Sequence, residues 1–250
     1  MSFLVEICVD SIESAIIAEA AGAGRIELCS ALFEGGLTPS AGLMEAICNN
    51  ISIDVNVIIR PRCGDFLYSD SDFSVMRRDI EKAGEAGADG IVAGLLNRDG
   101  TVDVDRTALL AEYAAPMKMT FHRAFDMCRD PKKALEDVIS TGAERILTSG
   151  QSRTAIDGAK VIKELADAAG ERIKIMPGGG ITEYNIALLA TTTGAKEYHL
   201  SARRQAESLM TFRRKGLFLG DPRLQSEYSV RIADAERIRS VIMILKGIVL

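Results

Sequence analysis

No stretch of this chain is apolar for long enough to cross a bilayer; the terminal run Val241 to Leu250 is short and broken by Lys246. Ahead of Val9 there is no basic region leading a long apolar stretch, so no signal peptide is expected and a cytosolic protein is. Linkers, low-complexity tracts and charge blocks are also missing from the 250 residues, which favours one domain spanning 1–250 over two. There is no basic excess: the net charge is −5, which gives no electrostatic reason to expect nucleic acid or a membrane surface as partner. The five cysteines are an odd number, and without an export signal they read as reduced thiols rather than a disulfide frame. Histidine is scarce, with two in the whole chain.

What is present is a repeated helix stop and strand start. Gly22-Ala23, Gly87-Ala88, Gly142-Ala143 and Gly194-Ala195 each run into a hydrophobic segment. The glycine suits the left-handed position that ends a helix, and the apolar run beyond it suits a strand covered by helices. Counted from Ala23, the steps are 65, 55 and 52 residues, each about twice the roughly 25 to 30 residues of one strand and one helix. The motif therefore marks every second strand. Filling the alternate places gives eight strands at 3–9, 25–29, 54–60, 89–94, 117–122, 144–149, 172–177 and 196–201.

Helices fit the gaps. Asp10 and Glu13 read as a capping box, Asp130-Pro131 as an N-cap followed by proline at the first helical position, and Thr182 as a cap after a glycine run. Ile156, Ala159, Ile162, Ala166 and Ala169 recur at helical spacing, with Gly170 as the stop. Eight βα units in this length predict a closed TIM (β/α)8 barrel, with an open doubly wound sheet as the alternative.

Chemistry in a parallel barrel gathers where the strands end. That filter leaves Glu6 and Cys8 on the first strand and Glu27 and Cys29 on the second, a repeated Glu-x-Cys whose parity places all four on one face. It also leaves Arg60 and Arg62 after the third strand, His122 and Arg123 after the fifth, Gly178, Gly179 and Gly180 after the seventh, and His199 and Ser201 on the eighth.

These residues lie in segments that resemble the signatures of the copper homeostasis protein CutC family: RIELC (25–29), EGGLTPS (34–40), IIRPRCGDFLYSD (58–70), TFHRAFDMCRDP (120–131), RILTSGQ (145–151), MPGGGIT (176–182), YHLSARR (198–204) and EYS (227–229). The order and spacing cover almost the whole chain, in a form similar to the animal members. The resemblance implies a self-associating TIM barrel, a dimer or tetramer, cytosolic and also nuclear, that binds copper and has no firmly assigned reaction. It implies Cys8 and Cys29 as the copper thiols. Cys63 departs from the family, which has glycine there, and is credited with no family role.

Adjacent strands would bring the Cys8 and Cys29 sulfurs close, and soft thiolates select Cu(I). The competing reading is that both are small apolar fillers, as buried cysteines often are. Cys48, Cys63 and Cys128 read as bystanders. His199 reads as a packed or hydrogen-bonded barrel residue or as a ligand. A second function is open: an enzyme acting on a small phosphorylated or carboxylated metabolite. In that reading Glu6, Glu27 or His122 is the acid/base, and Arg60, Arg62, Arg123, the three glycines and Ser201 hold the anion. The arginines could instead be paired structurally with Asp65, Asp126 or the rim glutamates. A pure scaffold is a third possibility.

The connection near 203–231 is expected as a long loop before the last helix, carrying Arg203, Arg204, Arg213, Arg214, Lys215 and Arg223 with Phe212 and Phe218. In an acidic chain it reads as a solvated loop, lid or subunit contact rather than an RNA site.

Overall fold

The computed structural model describes residues 3–217, 219 and 227–248. Eight parallel strands form one sheet: β1 (Leu4–Val9), β2 (Arg25–Leu28), β3 (Asp54–Ile58), β4 (Gly90–Ala93), β5 (Lys118–Phe121), β6 (Arg145–Thr148), β7 (Lys174–Pro177) and β8 (Glu197–Leu200). They follow the order β7-β6-β5-β4-β3-β2-β1-β8, and a parallel bridge between Gly178 and His199 joins the two ends into a ring. The fold is a TIM barrel. An open doubly wound sheet is ruled out by that order and its closure.

The strands alternate with α1 (Ile12–Ala20), α2 (Ala41–Cys48), α3 (Asp70–Ala86), α4 (Val104–Ala114), α5 (Pro131–Ser140), α6 (Ala159–Ala169) and α7 (Ile186–Thr193), and α8 (Ala235–Lys246) follows the last strand. All four glycines of the repeated motif have positive φ, from +67° to +95°, which explains why that position takes glycine at each helix end. Asp130 caps α5 as its sequence indicates, accepting from the N–H groups of Lys132 and Lys133.

Two caps differ from expectation. Ser11, not Asp10, caps α1 by accepting from the Ser14 N–H. After the glycine run the chain makes a turn, so α7 begins at Ile186 and Thr182 stands outside it.

The connection after β8 is also more ordered than a loop. It leaves and returns through an antiparallel ribbon, β9 (Arg203–Glu207) with β10 (Ser229–Ala233), before α8 packs against the wall. Phe218 and Arg223 lie outside the described residues. No helix among the described residues is long and apolar enough to cross a membrane.

The outer faces of the strands carry the apolar core, with Ile7, Ile26, Leu28, Val57, Ile91, Phe121, Ile146 and Leu200 among its buried side chains. Inside the barrel the lower layer is charged. Arg25 pairs with Glu6 and, at 2.7 Å, with Glu197; Arg145 reaches the same Glu197 at 2.5 Å and Thr120 at 3.0 Å. Arg25, Arg145 and Glu6 are 1–3% exposed. Such charges are tolerated in an interior only when each has its partners, and this lattice supplies them.

Candidate metal and anion site

The site stands on this charged floor, at the C-terminal end of the barrel. The register pairs Cys8 with Glu27 and Glu6 with Arg25, so the two Glu-x-Cys segments are offset by two residues rather than level. Stagger between neighbouring strands is a condition of closing a barrel. Parity still sends Glu6, Cys8, Glu27 and Cys29 inward, and the two sulfurs lie 3.7 Å apart. Glu27 accepts from the Cys29 thiol at 3.3 Å.

His199, on β8, completes the cluster. Its Nδ1 is 2.7 Å from Glu6 Oε1 and its Nε2 is 3.8 Å from Glu27 Oε2. Ligand atoms of Cys8, Glu27 and His199 all lie within 4.8 Å of one another. His199 is thus a hydrogen-bonded barrel residue, as one of its two sequence readings has it, and it stands among groups that could also make it a ligand. Sequence spacing hid this, because its partners arrive from β1 and β2.

Burial opposes charge on the imidazole, but Glu27, Cys8 and Glu6 around it outweigh that and hold its pKa well above the ordinary value. The Cys29 hydrogen bond, assisted by His199, brings the Cys8 thiol down to about 5 against the effect of burial. Cys29 is raised well above 9.0, by burial and then by the Cys8 charge beside it. Glu6 is buried, yet His199 and Arg25 draw it down to about 2. Burial lifts Glu27 to about 8, with Cys8 and Glu6 adding to the rise. The resulting pattern is a thiolate at Cys8, a neutral thiol at Cys29 in contact with both Cys8 and Glu27, and an imidazolium seated on a carboxylate.

A cavity of about 360 Å³ opens above this cluster, with Cys8, Glu27, His199, Arg60, His122, Arg123, Gly179 and Ser201 in its wall. Glu6 lies beneath it, occupied by Arg25 and His199. Arg60 is 6% exposed, and its terminal nitrogens donate to the carbonyls of Glu34, Gly36 and Gly64. His122 accepts the Ala124 N–H at Nδ1, which leaves its proton on Nε2; burial, then Arg60, holds its pKa down at about 3. Arg123 is half engaged, pairing with Asp126 at 2.7 Å and Ser149 at 2.9 Å.

Three residues expected at an anion site lie elsewhere. Arg62 is turned outward, paired with Asp65 at 3.1 Å and Asp72 at 3.5 Å and stacked on Tyr68. Gly178 is used to close the barrel on His199, and Gly180 packs against Thr154. Of the other cysteines, Cys48 sits in α2, Cys63 is exposed in a loop, and Cys128 is buried, its thiol pushed up to about 12 by burial. Among the described residues, three that are not glycine take left-handed φ: Ala31 (46°), Gln151 (56°) and Ala202 (35°). They follow β2, β6 and β8, so the costly backbone is concentrated at the end of the barrel that bears the site.

Residues 3–204 match the CutC family model. A protein of Mus musculus named copper homeostasis protein cutC homolog is 48% identical over 246 residues, covering 98% of this chain and 90% of its own. A CutC family protein of Chromobacterium violaceum is 46% identical over 241 residues, 96% of this chain and 97% of its own. Among solved structures, that of a CutC protein from Streptococcus agalactiae aligns with a TM-score of 0.75 at 34% identity, over 80% of this chain and 98% of that one.

Proposed function

The chain belongs to the CutC family of copper homeostasis proteins, and from that premise we propose that it binds Cu(I) as cargo through Cys8 and Cys29, for storage, transfer or sensing of intracellular copper. The observation that carries this reading is the 3.7 Å approach of the Cys8 sulfur, which lines the cavity and is held as thiolate, to the buried sulfur of Cys29. Soft sulfur donors select Cu(I) over hard cations.

The donor set fits a bent ion better than a linear one. With metal–thiolate bonds of about 2.3 Å, sulfurs at this separation subtend roughly 110° at the ion, whereas a linear bridge needs them about 4.6 Å apart. A bent pair leaves room for a third donor, and His199 or Glu27 is the neighbour that would supply it. Glu6 is excluded from that role by its pairing with Arg25 and His199. As the family resemblance implies, the same reading includes self-association as a dimer or tetramer and residence in cytosol and nucleus.

Anaerobic competition against a Cu(I) chelator tests the assignment. Wild type should take one tight Cu(I), Cys8→Ser with Cys29→Ser should take none while its circular dichroism is unchanged, and His199→Asn or Glu27→Gln should bind more weakly. Equal stoichiometry and affinity in the double cysteine variant would refute it.

A further inference from the structure

The cavity wall carries more positive charge than copper ligation uses. Arg60 is a buried guanidinium whose hydrogen bonds all go to main-chain carbonyls, and among the described residues no carboxylate pairs with it. Carbonyl dipoles orient a cation without neutralising it, and a buried charge lacking a counter-ion is costly. Its Nε is buried with no partner, and so is Nε2 of His122. Each such orphan is destabilising if nothing accepts from it. Both residues line the same cavity, together with Arg203 at the start of β9. The lining also has apolar side chains, Leu32, Phe66 and Leu147. The Phe66 ring centre is 5.4 Å from the Arg60 guanidinium and 4.9 Å from that of His122.

We propose that this cavity binds a small organic acid, its carboxylate held by Arg60, His122 and Arg203 and its apolar body lying against Phe66 and Leu147. A guanidinium and a neutral imidazole N–H are both donors, so one carboxylate can satisfy them together while supplying the missing negative charge. The apolar wall distinguishes such a ligand from a bare inorganic anion, which would leave that surface uncovered. A volume of about 360 Å³ suits a small metabolite. The acid's donors are not the copper ligands, although Arg203 is among the charges that lower the Cys8 thiol in the same cavity.

Thermal-shift titration with benzoate, phenylacetate and hexanoate, against benzamide, hexanol and inorganic phosphate, tests the proposal. The acids should raise the melting point in a dose-dependent way, and the neutral analogues and phosphate should not. Arg203→Ala, which removes a partly exposed side chain, should weaken the acids about tenfold, the value of one charge-assisted hydrogen bond. Arg60→Lys, with its fold checked by circular dichroism, should do the same, and Met243→Ala, exposed on α8 and outside the cavity lining, should bind as wild type. The proposal is overturned if no acid shifts the melting point, which would leave water as the cavity's occupant, or if the neutral analogues shift it equally. Wild-type affinity in both arginine variants would also overturn it, as would a loss in Met243→Ala as large as in Arg203→Ala.

Discussion

His199 Nδ1 stands 2.7 Å from Glu6 Oε1, and Arg25 holds the other oxygen of the same carboxylate, so the imidazolium that faces Cys8 is anchored from below. Cys8 should therefore react as a thiolate well below the ordinary thiol pKa. Alkylation rate against pH, followed by peptide mass spectrometry, should show a midpoint near the expected value of about 5 in wild type. Cys29→Ala removes the largest cause of the depression and should move the midpoint up furthest; Glu6→Gln should move it up less. An unchanged midpoint in both variants would refute this account of the thiolate.

Thiol reactivity should rank by access and charge together. Cys63, exposed in its loop, should label first at neutral pH. Cys8 should follow, since it lines the cavity, and Cys29 and Cys128 should label slowly, being buried with raised pKa values. Cu(I) at one equivalent should shield Cys8 and leave Cys63 as reactive as before. Equal protection of both would mean that copper binds without regard to the barrel site.

Acid should destabilise the fold in two stages. His122 has its pKa lowered from 6.5 to about 3, so the unfolded chain binds more protons in that interval and this contribution to stability is lost as pH falls through it. Glu6 and Glu197, lowered from 4.5 to about 2, add a second loss below pH 4.5 with the same sign. Urea unfolding at a series of pH values should show His122→Gln with a shallower decline than wild type from pH 6.5 down to about 3, and the same decline only below that. Parallel curves throughout would contradict the buried neutral histidine.

Small residues beneath and beside the site are required by space. A Cβ on Gly94 would lie 2.6 Å from His122 Nδ1, and one on Gly90 would lie 2.4 Å from Asn56 Oδ1 and 2.8 Å from the Lys118 carbonyl. Gly90→Ala should cost about 1–3 kcal/mol in denaturant unfolding, the usual cost of overpacking a close-fitted interior. Gly94→Ala should in addition displace His122 and weaken acid binding in the cavity. A neutral Gly90→Ala would show that β4 and β5 can move apart.

The barrel was readable because its helix stops and strand starts are local, set by Gly22, Gly87, Gly142 and Gly194 within a few residues. Convergence of Cys8 and Cys29 followed from parity, which any strand obeys. The two-residue offset between them did not, because stagger belongs to the closed ring and to no single strand. Arg62 looks equivalent to Arg60 beyond the end of β3 and does not join the cavity; it takes the other course the sequence leaves open, pairing with Asp65 and also with Asp72. Arg25, Arg145 and Glu197, at strand starts, resemble solvent-facing charges, and only the assembled cylinder shows them meeting inside. Arg203 looks in the sequence like part of a basic loop, whereas it begins the ribbon strand β9 and lines the cavity.

The last strand meets the first at full length but meets β7 only through the Gly178–His199 bridge. A ligand that grips His199 therefore also fastens the seam of the cylinder. Loading and unloading should be felt as tightening and slackening of that join, with amide exchange slowing on either side of it when the site is filled.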